Sequence, residues 1–204
     1  MANTFYDAIQ LFEKIGYADK DSVWVEIGSE RGEGSTLALA GQAQRWGTVL
    51  HSVDIDDTCS RTTTHPCLIC HVQKGSTWAK EYQKHVGKRI SLLYLDNFDW
   101  IWNPDNIPDW ISDQIKHYQT QHQQTMNNRI CQQEHLLQML LLTPWLEQEC
   151  MIAMDDTYLQ NSVWTGKCGA VCVYLEALGF ETVYTSDGGT IMVRGFDVLS
   201  RLTL

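Results

Sequence analysis

The stretch VWVEIGSERGEGSTLALAG, residues 23–41, joins an apolar run to a turn with three glycines and then to a helix-forming run. This order predicts a strand, a tight turn and a helix. Gly28, Gly32 and Gly34 follow the predicted strand, where glycine permits positive φ and a close approach of the backbone to a ligand. Ligands of open α/β sheets bind at this end of the strands. Tight turns also use glycine for their conformation alone, so a purely structural interpretation stays open.

Outward from this turn, apolar runs alternate with helical patterns. The predicted strands are 23–27, 48–56, 67–77 (running into a turn), 90–98 and 150–158, and the predicted helices are 4–17, 35–46, 78–86, 130–146 and 166–180. Asp-Gly-Gly within 181–196 predicts a closing hairpin with one antiparallel edge strand, and Gly179 is expected to end the last helix. The alternation predicts an α/β fold, a mostly parallel sheet with helices on both faces.

The bulk properties of the chain exclude several classes of partner. The 204 residues are enough for one domain, 1–204, and carry a net charge of −10. Such an acidic chain lacks the Lys and Arg needed to neutralise phosphates, so we expect no nucleic-acid partner. The longest apolar run, HLLQMLLLTPWL (135–146), is too short for a bilayer. Without an export-signal pattern, the seven cysteines are interpreted as reduced thiols of a cytoplasmic protein.

The glycine spacing distinguishes between classes of nucleotide-like ligand. A P-loop requires Gly-Lys-Ser/Thr, but no lysine occurs between Lys20 and Lys74. The dinucleotide pattern G-x-G-x-x-G does not fit either. Short-chain dehydrogenases use the observed G-x-x-x-G-x-G spacing, but their Tyr-x-x-x-Lys pair does not occur in this sequence. An NAD-dependent dehydrogenase is therefore the less favoured interpretation.

Acid-x-Gly at the end of the first strand, formed by Glu26 and Gly28, resembles motif I of the class I S-adenosylmethionine-dependent methyltransferases. The segment VEIGSERGEGSTLALA is especially similar to the form found in small-molecule O-methyltransferases. The resemblance spans residues 23–196 and implies a Rossmann-like sheet with S-adenosylmethionine as cofactor. The ammonium and sulfonium groups of that cofactor tolerate an acidic pocket that would repel a pyrophosphate.

The same resemblance assigns cofactor contacts along the chain. The acid that ends the second strand takes the ribose hydroxyls, a Gly-Ser pair after the third lies near the adenine, and an acid after the fourth lies near the methyl group. The residues implied are Glu26, Gly28, Ser29, Gly32, Gly34, Ser35, Asp54 (Asp56 being less favoured), Gly75, Ser76 and Asp96.

Acidic residues also follow two neighbouring strands of the predicted sheet. Asp96 follows the fourth strand, and Asp155 and Asp156 follow the fifth. Carboxylates that converge at one sheet edge repel each other unless a positive charge lies between them, and Mg²⁺ or Ca²⁺ prefers such oxygen ligands. The alternative is that these acids cap the helices that follow. The arrangement resembles the metal-dependent catechol O-methyltransferase group and the cephalosporin-hydroxylase-like group.

The resemblance implies metal-assisted methyl transfer to a small-molecule hydroxyl, with Asp96 and Asp99 as catalytic residues. Members of these groups often place Lys or His three residues beyond the first metal acid as the base, but this chain has Asp99 there. A carboxylate can act as a base towards a metal-bound hydroxyl. The departure leaves open an inactive or hydroxylase-like relative that binds a cofactor or a partner.

Two further segments have open interpretations. CLICH (67–71) matches a haem-attachment signature, and Cys59 and His65 lie nearby in the sequence, so zinc is an alternative ligand. Buried cysteines are the favoured interpretation because the segment is a predicted strand.

An insertion at about 100–130 follows the fourth strand, where loops form lids or substrate pockets. Alternatively, its aromatic residues pack the insertion onto the body or form a homo-oligomer interface; the residues concerned are Trp100, Trp102, Trp110, His117, Tyr118 and His122.

Overall fold

The structure, a computed structural model, describes residues 4–15, 21–29, 34–186 and 188–196. Gly32 of the glycine turn lies outside the described residues. The strands are β1 Val23–Ile27, β2 Leu50–Asp54, β3 Leu68–Val72, β4 Ile90–Leu95, β5 Leu146–Asp155, β6 Thr157–Gln160, β7 Val163–Gly166, β8 Glu181–Ser186 and β9 Gly189–Arg194. The helices are α1 Thr4–Ile15, α2 Ser35–Trp46, α3 Thr58–Thr62, α4 Gly75–Lys80, α5 Tyr82–His85, α6 Asp109–Gln121, α7 Asn128–Leu142 and α8 Gly169–Ala177, with a 3₁₀ turn at Thr143–Trp145.

Seven strands form one sheet in the order β3-β2-β1-β4-β5-β9-β8. The first five are parallel to one another, and β9 is antiparallel to both β5 and β8. The predicted mostly parallel α/β sheet is therefore confirmed. The antiparallel strand was expected at the edge, but β9 lies one place inside it. β9 is almost wholly buried between its two neighbours, whereas the residues of β8 are all exposed or half-buried, as suits the strand at the edge.

Helices cover both faces of the sheet, which explains why its central strands β1 and β4 are buried at every residue. Alternate residues of β1 point to opposite sides. Val25 and Ile27 join a core with residues of α4, α7 and α8, whereas Trp24 joins a core with residues of α1 and α2. Both faces of β4 are likewise buried. Side chains in these strands are committed to packing, so the functional groups stand at the strand ends.

The segment between β4 and β5 is more helical than its polar composition indicated. Helix α6 lies within the predicted insertion, and α7 begins two residues before the predicted start. The side chain of Asn127 accepts a hydrogen bond from the Ile130 backbone N–H at 2.9 Å and so caps α7. The hairpin formed by β6 and β7 was not predicted from the sequence. In the described part of the chain, no helix has the length and apolar character needed to cross a membrane.

Gly28 directly follows β1 and lies very close to the backbone of the segments that follow β2 and β4. Its N–H donates to the Val53 carbonyl at 2.9 Å, and its φ is +98°. A Cβ at this position would lie 2.4 Å from the backbone nitrogen of Asn97. Only glycine therefore satisfies both the backbone conformation and the contact with the segment after β4.

We predict that Gly28→Ala lowers the free energy of unfolding by about 2–5 kcal/mol, because positive φ and a clash with backbone each contribute strain. Gly41→Ala is the matched control, since Gly41 lies within α2 and an added Cβ there has open space. The control should be neutral or slightly stabilising. Urea denaturation of both variants measures the difference, and equal unfolding midpoints would contradict the explanation.

Candidate functional site

A cavity of about 270 Å³ opens at the carboxyl ends of β1, β2 and β4. This is close to the lower end of the roughly 300–1,000 Å³ typical of small-molecule sites. The residues predicted for the cofactor or for catalysis that line it are Gly28, Ser29, Gly34, Ser35, Asp54, Gly75, Asp96 and Asp99. Glu26, Ser76, Asp155 and Asp156 do not line it.

Asp54 is fixed at the end of β2 by the loops around it. Its Oδ2 accepts a hydrogen bond from the Ser29 backbone N–H at 2.8 Å, and its Oδ1 accepts one from the Asp56 N–H at 2.9 Å. The carboxylate therefore crosses from β2 to the glycine turn and presents a fixed negative charge to the cavity.

Glu26 is buried behind the glycine turn rather than in the cavity. Its side-chain oxygens accept hydrogen bonds from Ser35 at 2.7 Å, Thr36 at 2.8 Å and Ser52 at 2.5 Å. Burial raises the pKa of Glu26 to about 7, although these three hydroxyl groups act in the opposite direction. The carboxyl group thus joins β1 and β2 to the start of α2.

The Gly-Ser pair after β3, Gly75 and Ser76, packs against α7. The acid of α7 that binds it, Glu134, was not identified from the sequence. Glu134, only 6% exposed, accepts a hydrogen bond from the Ser76 backbone N–H at 3.0 Å and pairs with Lys74 at 3.2 Å. A Cβ on Gly75 would lie 2.5 Å from the Gln138 side chain. The pair therefore allows α7 to pack closely, and Glu134 adds a further acid to the cavity wall.

The three acids predicted to share a cation do converge, and a lysine lies among them. The Lys167 ammonium is 2.7 Å from Asp96 Oδ1, 3.3 Å from Asp155 Oδ2 and 3.2 Å from Asp156 Oδ2. The remaining oxygen of Asp96 accepts a hydrogen bond from the Tyr94 hydroxyl at 3.2 Å. We name the lysine and the three aspartates the Lys167 cluster.

The hairpin β6–β7 brings Lys167 back to the acids that precede it in the chain. The Lys167 N–H donates to the Asp156 carbonyl at 3.0 Å. Gly166 has φ +90°, and a Cβ there would lie 1.9 Å from that same carbonyl oxygen. The close return of the chain depends on glycine at position 166. As a result of this return, Lys167 is only 2% exposed.

The sequence predicted a divalent cation at Asp96, Asp155 and Asp156, and the observed geometry does not fit one between them. An ion bound to all three carboxylates would stand about 2.0–2.6 Å from their oxygens, in the space that the Lys167 ammonium occupies. The positive charge that lies among the three carboxylates belongs to Lys167, so the chain itself supplies it. Lys167 was missed because its predicted position was in a helix.

Burial and mutual charge set the protonation of this region. Burial and the charge of Asp96 raise the pKa of Asp155 to about 8, which Lys167 opposes. Burial alone would lower the pKa of Lys167, but Asp96, Asp155 and Asp156 together raise it well above the usual value. Burial also raises the pKa of Asp99, which lines the cavity. A carboxylate with a raised pKa is a stronger proton acceptor once ionised.

The helical segment after β4 covers one side of the cavity through residues other than its tryptophans. Gln114, Tyr118 and Gln124 line the cavity together with Phe98. Of the aromatic residues predicted to line a pocket here, only Tyr118 does so. Trp102 instead stacks on Tyr158, with ring centroids 5.3 Å apart, which matches the packing alternative.

Among the described residues, no residue of CLICH belongs to a group of three or more side chains placed to hold a metal ion. The Sγ atoms of Cys59 and Cys70 are 3.7 Å apart, and all seven cysteines are free. Cys168 and Cys172 are buried, as predicted for core-facing residues. Cys67 and Cys70 were expected to be buried, but both are half-buried, because β3 is the edge strand of the sheet and Cys67 directly precedes it.

No model of a known protein family matches this sequence. Among curated proteins, the chain is similar to the non-reducing polyketide synthase men2 of Menisporopsis theobromae, at 27% identity over 108 residues. The match covers 51% of this chain and 5% of the synthase. The chain therefore corresponds to a small fraction of that relative's length.

Solved methyltransferase structures share the fold across nearly the whole chain. An S-adenosyl-L-methionine methyl transferase from Silicibacter pomeroyi has a TM-score of 0.52 and 12% identity, covering 92% of this chain and 89% of its own. The TDP-rhamnose 3′-O-methyltransferase CalS11 of calicheamicin biosynthesis has a TM-score of 0.55 and 12% identity. The match covers 94% of this chain and 79% of CalS11. MycE of the mycinamycin pathway, in complex with Mg and S-adenosylhomocysteine, has a TM-score of 0.57 and 9% identity. The match covers 94% of this chain and 49% of MycE.

At these identities the likeness establishes the fold. The chain has the fold of S-adenosylmethionine-dependent methyltransferases, which confirms the fold-level expectation drawn from the glycine turn.

We predict that Glu26→Gln changes how stability depends on pH. A pKa raised from 4.5 to about 7 means that the wild type loses stability as the pH rises through this window, by about 3 kcal/mol. Glutamine stays neutral, so the variant should gain stability relative to wild type between pH 4.5 and 7.5. Glu181→Gln, at an exposed position, is the control. Parallel stability curves for wild type and Glu26→Gln would contradict the assignment.

Proposed function

We propose that this protein transfers a methyl group from S-adenosylmethionine to a hydroxyl group of a small molecule. The charge of the cavity carries the proposal. Among the described residues that line it, the acids outnumber the bases by four to one; the acids are Asp54, Asp96, Asp99 and Glu134, and the base is Lys74. A negative pocket attracts the ammonium and sulfonium groups of S-adenosylmethionine and repels the pyrophosphate of a dinucleotide.

The positions of the fixed groups support one orientation of the cofactor. Asp54 presents a carboxylate suited to two neighbouring ribose hydroxyls. Asp96 lies across the cavity at the end of β4, suited to the cationic end. Gly28, Ser29, Gly34 and Ser35 form the wall between them, and Gly75 the wall towards the adenine. Glu26 and Ser76 support this wall from behind.

S-adenosylmethionine supplies a methyl group bound to a positively charged sulfur. Asp99, ionised before the reaction, takes the proton of the acceptor hydroxyl. When bound, the cofactor would give this methyl group to the acceptor oxygen, and the electron pair of the broken carbon–sulfur bond would stay on sulfur. The protein contributes orientation and electrostatics, with Asp96 and Asp99 held on one short segment beside the cavity.

Lys167 has the position that the resemblance gave to a divalent cation, and we assign it a positioning role. It neutralises the acids behind the cavity and fixes one oxygen of Asp96, while the Tyr94 hydroxyl fixes the other. No step is assigned to Mg²⁺ or Ca²⁺ at this cluster. Asp155 and Asp156 then hold Lys167 rather than a metal.

A small-molecule hydroxyl is the acceptor class that the comparisons support. CalS11 is by its description a sugar O-methyltransferase, and MycE acts in the mycinamycin pathway. The second candidate, a relative that binds the cofactor without turnover, is favoured only by the departure at Asp99. Binding without product formation across phenol and sugar acceptors would identify it.

The first prediction of this proposal concerns the cofactor. Asp54→Ala should weaken the binding of S-adenosylhomocysteine by about 10- to 100-fold, because it removes hydrogen bonds to a charged acceptor. Asp57→Ala, an exposed position three residues on, is the control. Isothermal titration with S-adenosylhomocysteine and with NAD measures both. Tight binding of NAD, or unchanged binding in Asp54→Ala, would refute the assignment.

The second prediction concerns the internal cation. At saturating cofactor and acceptor, kcat of chelator-treated protein should not increase on addition of Mg²⁺ or Ca²⁺. Lys167→Met should lower kcat by roughly 100-fold through misplacement of Asp96, while Lys116→Met, at an exposed position, should not.

Removing the partner of buried acids typically destabilises a protein by about 3–5 kcal/mol, so the folding of Lys167→Met is checked by circular dichroism. The metal-addition arm uses wild-type protein and does not depend on this variant. A Mg²⁺-dependent rise in kcat would contradict the internal cation.

A further inference from the structure

Three side chains of metal-binding type meet outside the cluster described above. Asp56 lies in the loop after β2, His117 lies on α6, and His122 directly follows α6. Asp56 Oδ2 is 3.1 Å from His117 Nε2 and 3.6 Å from His122 Nε2. All three ligand atoms lie within 4.8 Å of one another.

This geometry is close to that of a tetrahedral metal site. Zinc bonds to histidine nitrogen and carboxylate oxygen of ~2.1 Å place ligand atoms ~3.4 Å apart. Two of the observed separations, 3.1 and 3.6 Å, bracket that value. Two imidazoles and one carboxylate form a donor set that suits Zn²⁺ better than Mg²⁺ or Ca²⁺. A fourth coordination position would remain for water.

The surroundings of Asp56 and His122 suit both side chains to metal binding. Asp56 Oδ1 accepts hydrogen bonds from the Thr58 N–H, at 2.8 Å, and from the Thr58 hydroxyl, which orients Oδ2 towards the histidines. Nε2 of His122 is buried and makes no hydrogen bond with any described residue. A buried imidazole nitrogen without a hydrogen bond is costly, and a metal ion would satisfy it.

The three residues also connect the two sides of the cavity. Asp56 is two residues beyond Asp54, which lines the cavity. On the other side, Tyr118 and Gln124 line the cavity and alternate along the chain with the two histidines. An ion bound by all three would therefore fix the α6 segment against the loop after β2.

We propose that Asp56, His117 and His122 bind one Zn²⁺ ion, and that the ion holds the α6 segment closed over the cavity. The binding site does not depend on methyl transfer. The effect on cofactor rests on the proposed function, so the two are measured separately.

The test begins with metal-free full-length protein titrated with Zn²⁺, and in parallel with Co²⁺ to report the ligand type by its absorption spectrum. We expect one site per chain, with no sulfur-to-cobalt charge-transfer band from the cysteines. His117→Ala and His122→Ala should each weaken binding by about 100-fold or more, since even the loss of supporting contacts costs 10- to 100-fold. His85→Ala is the control.

His117 is half-exposed, so its variant is expected to fold, and thermal unfolding without metal checks this for both histidine variants. Absence of Zn²⁺ binding, binding through thiolate, or equal affinity in the histidine variants and wild type would overturn the site.

Hydrogen exchange tests the closing role without any cofactor. Zn²⁺ should slow backbone exchange in residues 109–122 of wild type and leave His122→Ala unchanged. Binding of Zn²⁺ without such slowing would overturn the closing role. If S-adenosylhomocysteine fails to bind although Zn²⁺ slows exchange, the proposed function fails and the metal site stands.

Discussion

The contact between the Lys167 ammonium and three aspartates is the interaction on which the functional edge of this sheet depends. Moving a charge into the interior costs several kcal/mol, and this cost is offset only when opposite charges lie close by with good geometry. Lys167 has one oxygen each from Asp96, Asp155 and Asp156 within 3.3 Å. Without the ammonium, acids from two adjacent strands would face each other across a few ångströms.

The hairpin between β6 and β7 brings Lys167 to these acids. The β6–β7 hairpin leaves the main sheet directly after Asp155 and returns the chain to Asp156. Gly166 permits the close return, and Lys167 follows it at once. Burial, followed by the charge of Asp96, raises the pKa of Asp155, and the charge of Lys167 opposes this shift. The negative character of the neighbouring cavity and the internal cation thus belong to one electrostatic arrangement.

The glycine turn contributes to the site in two ways. Gly28, Ser29 and Asp54 form the cavity wall, and Glu26 holds that wall from behind through three hydroxyl groups. The Glu-x-Gly pattern therefore encodes a support and a surface two residues apart. Glu26 lies within β1, whereas Gly28 follows its last residue with positive φ, so the chain turns between the support and the surface.

Local patterns predicted most of the fold, and long-range contacts account for what they missed. The bounds of β1 and α2 follow from the apolar run and the glycines at 23–46. The convergence of Asp96 with Asp155 and Asp156 followed from parallel strand ends. The identity of the cation could not follow, because Lys167 reaches Asp96 across 71 positions through an unpredicted hairpin. Glu134 was missed for the same reason, as its partners Ser76 and Lys74 lie on another element.

The most direct test of the internal cation is anomalous diffraction from crystals of the protein grown with S-adenosylhomocysteine and Mn²⁺, an ion that takes the same oxygen ligands as Mg²⁺. The account predicts no anomalous peak between Asp96, Asp155 and Asp156, and electron density for the Lys167 side chain in that position. A manganese peak bound to these carboxylates, with Lys167 displaced from them, would contradict it.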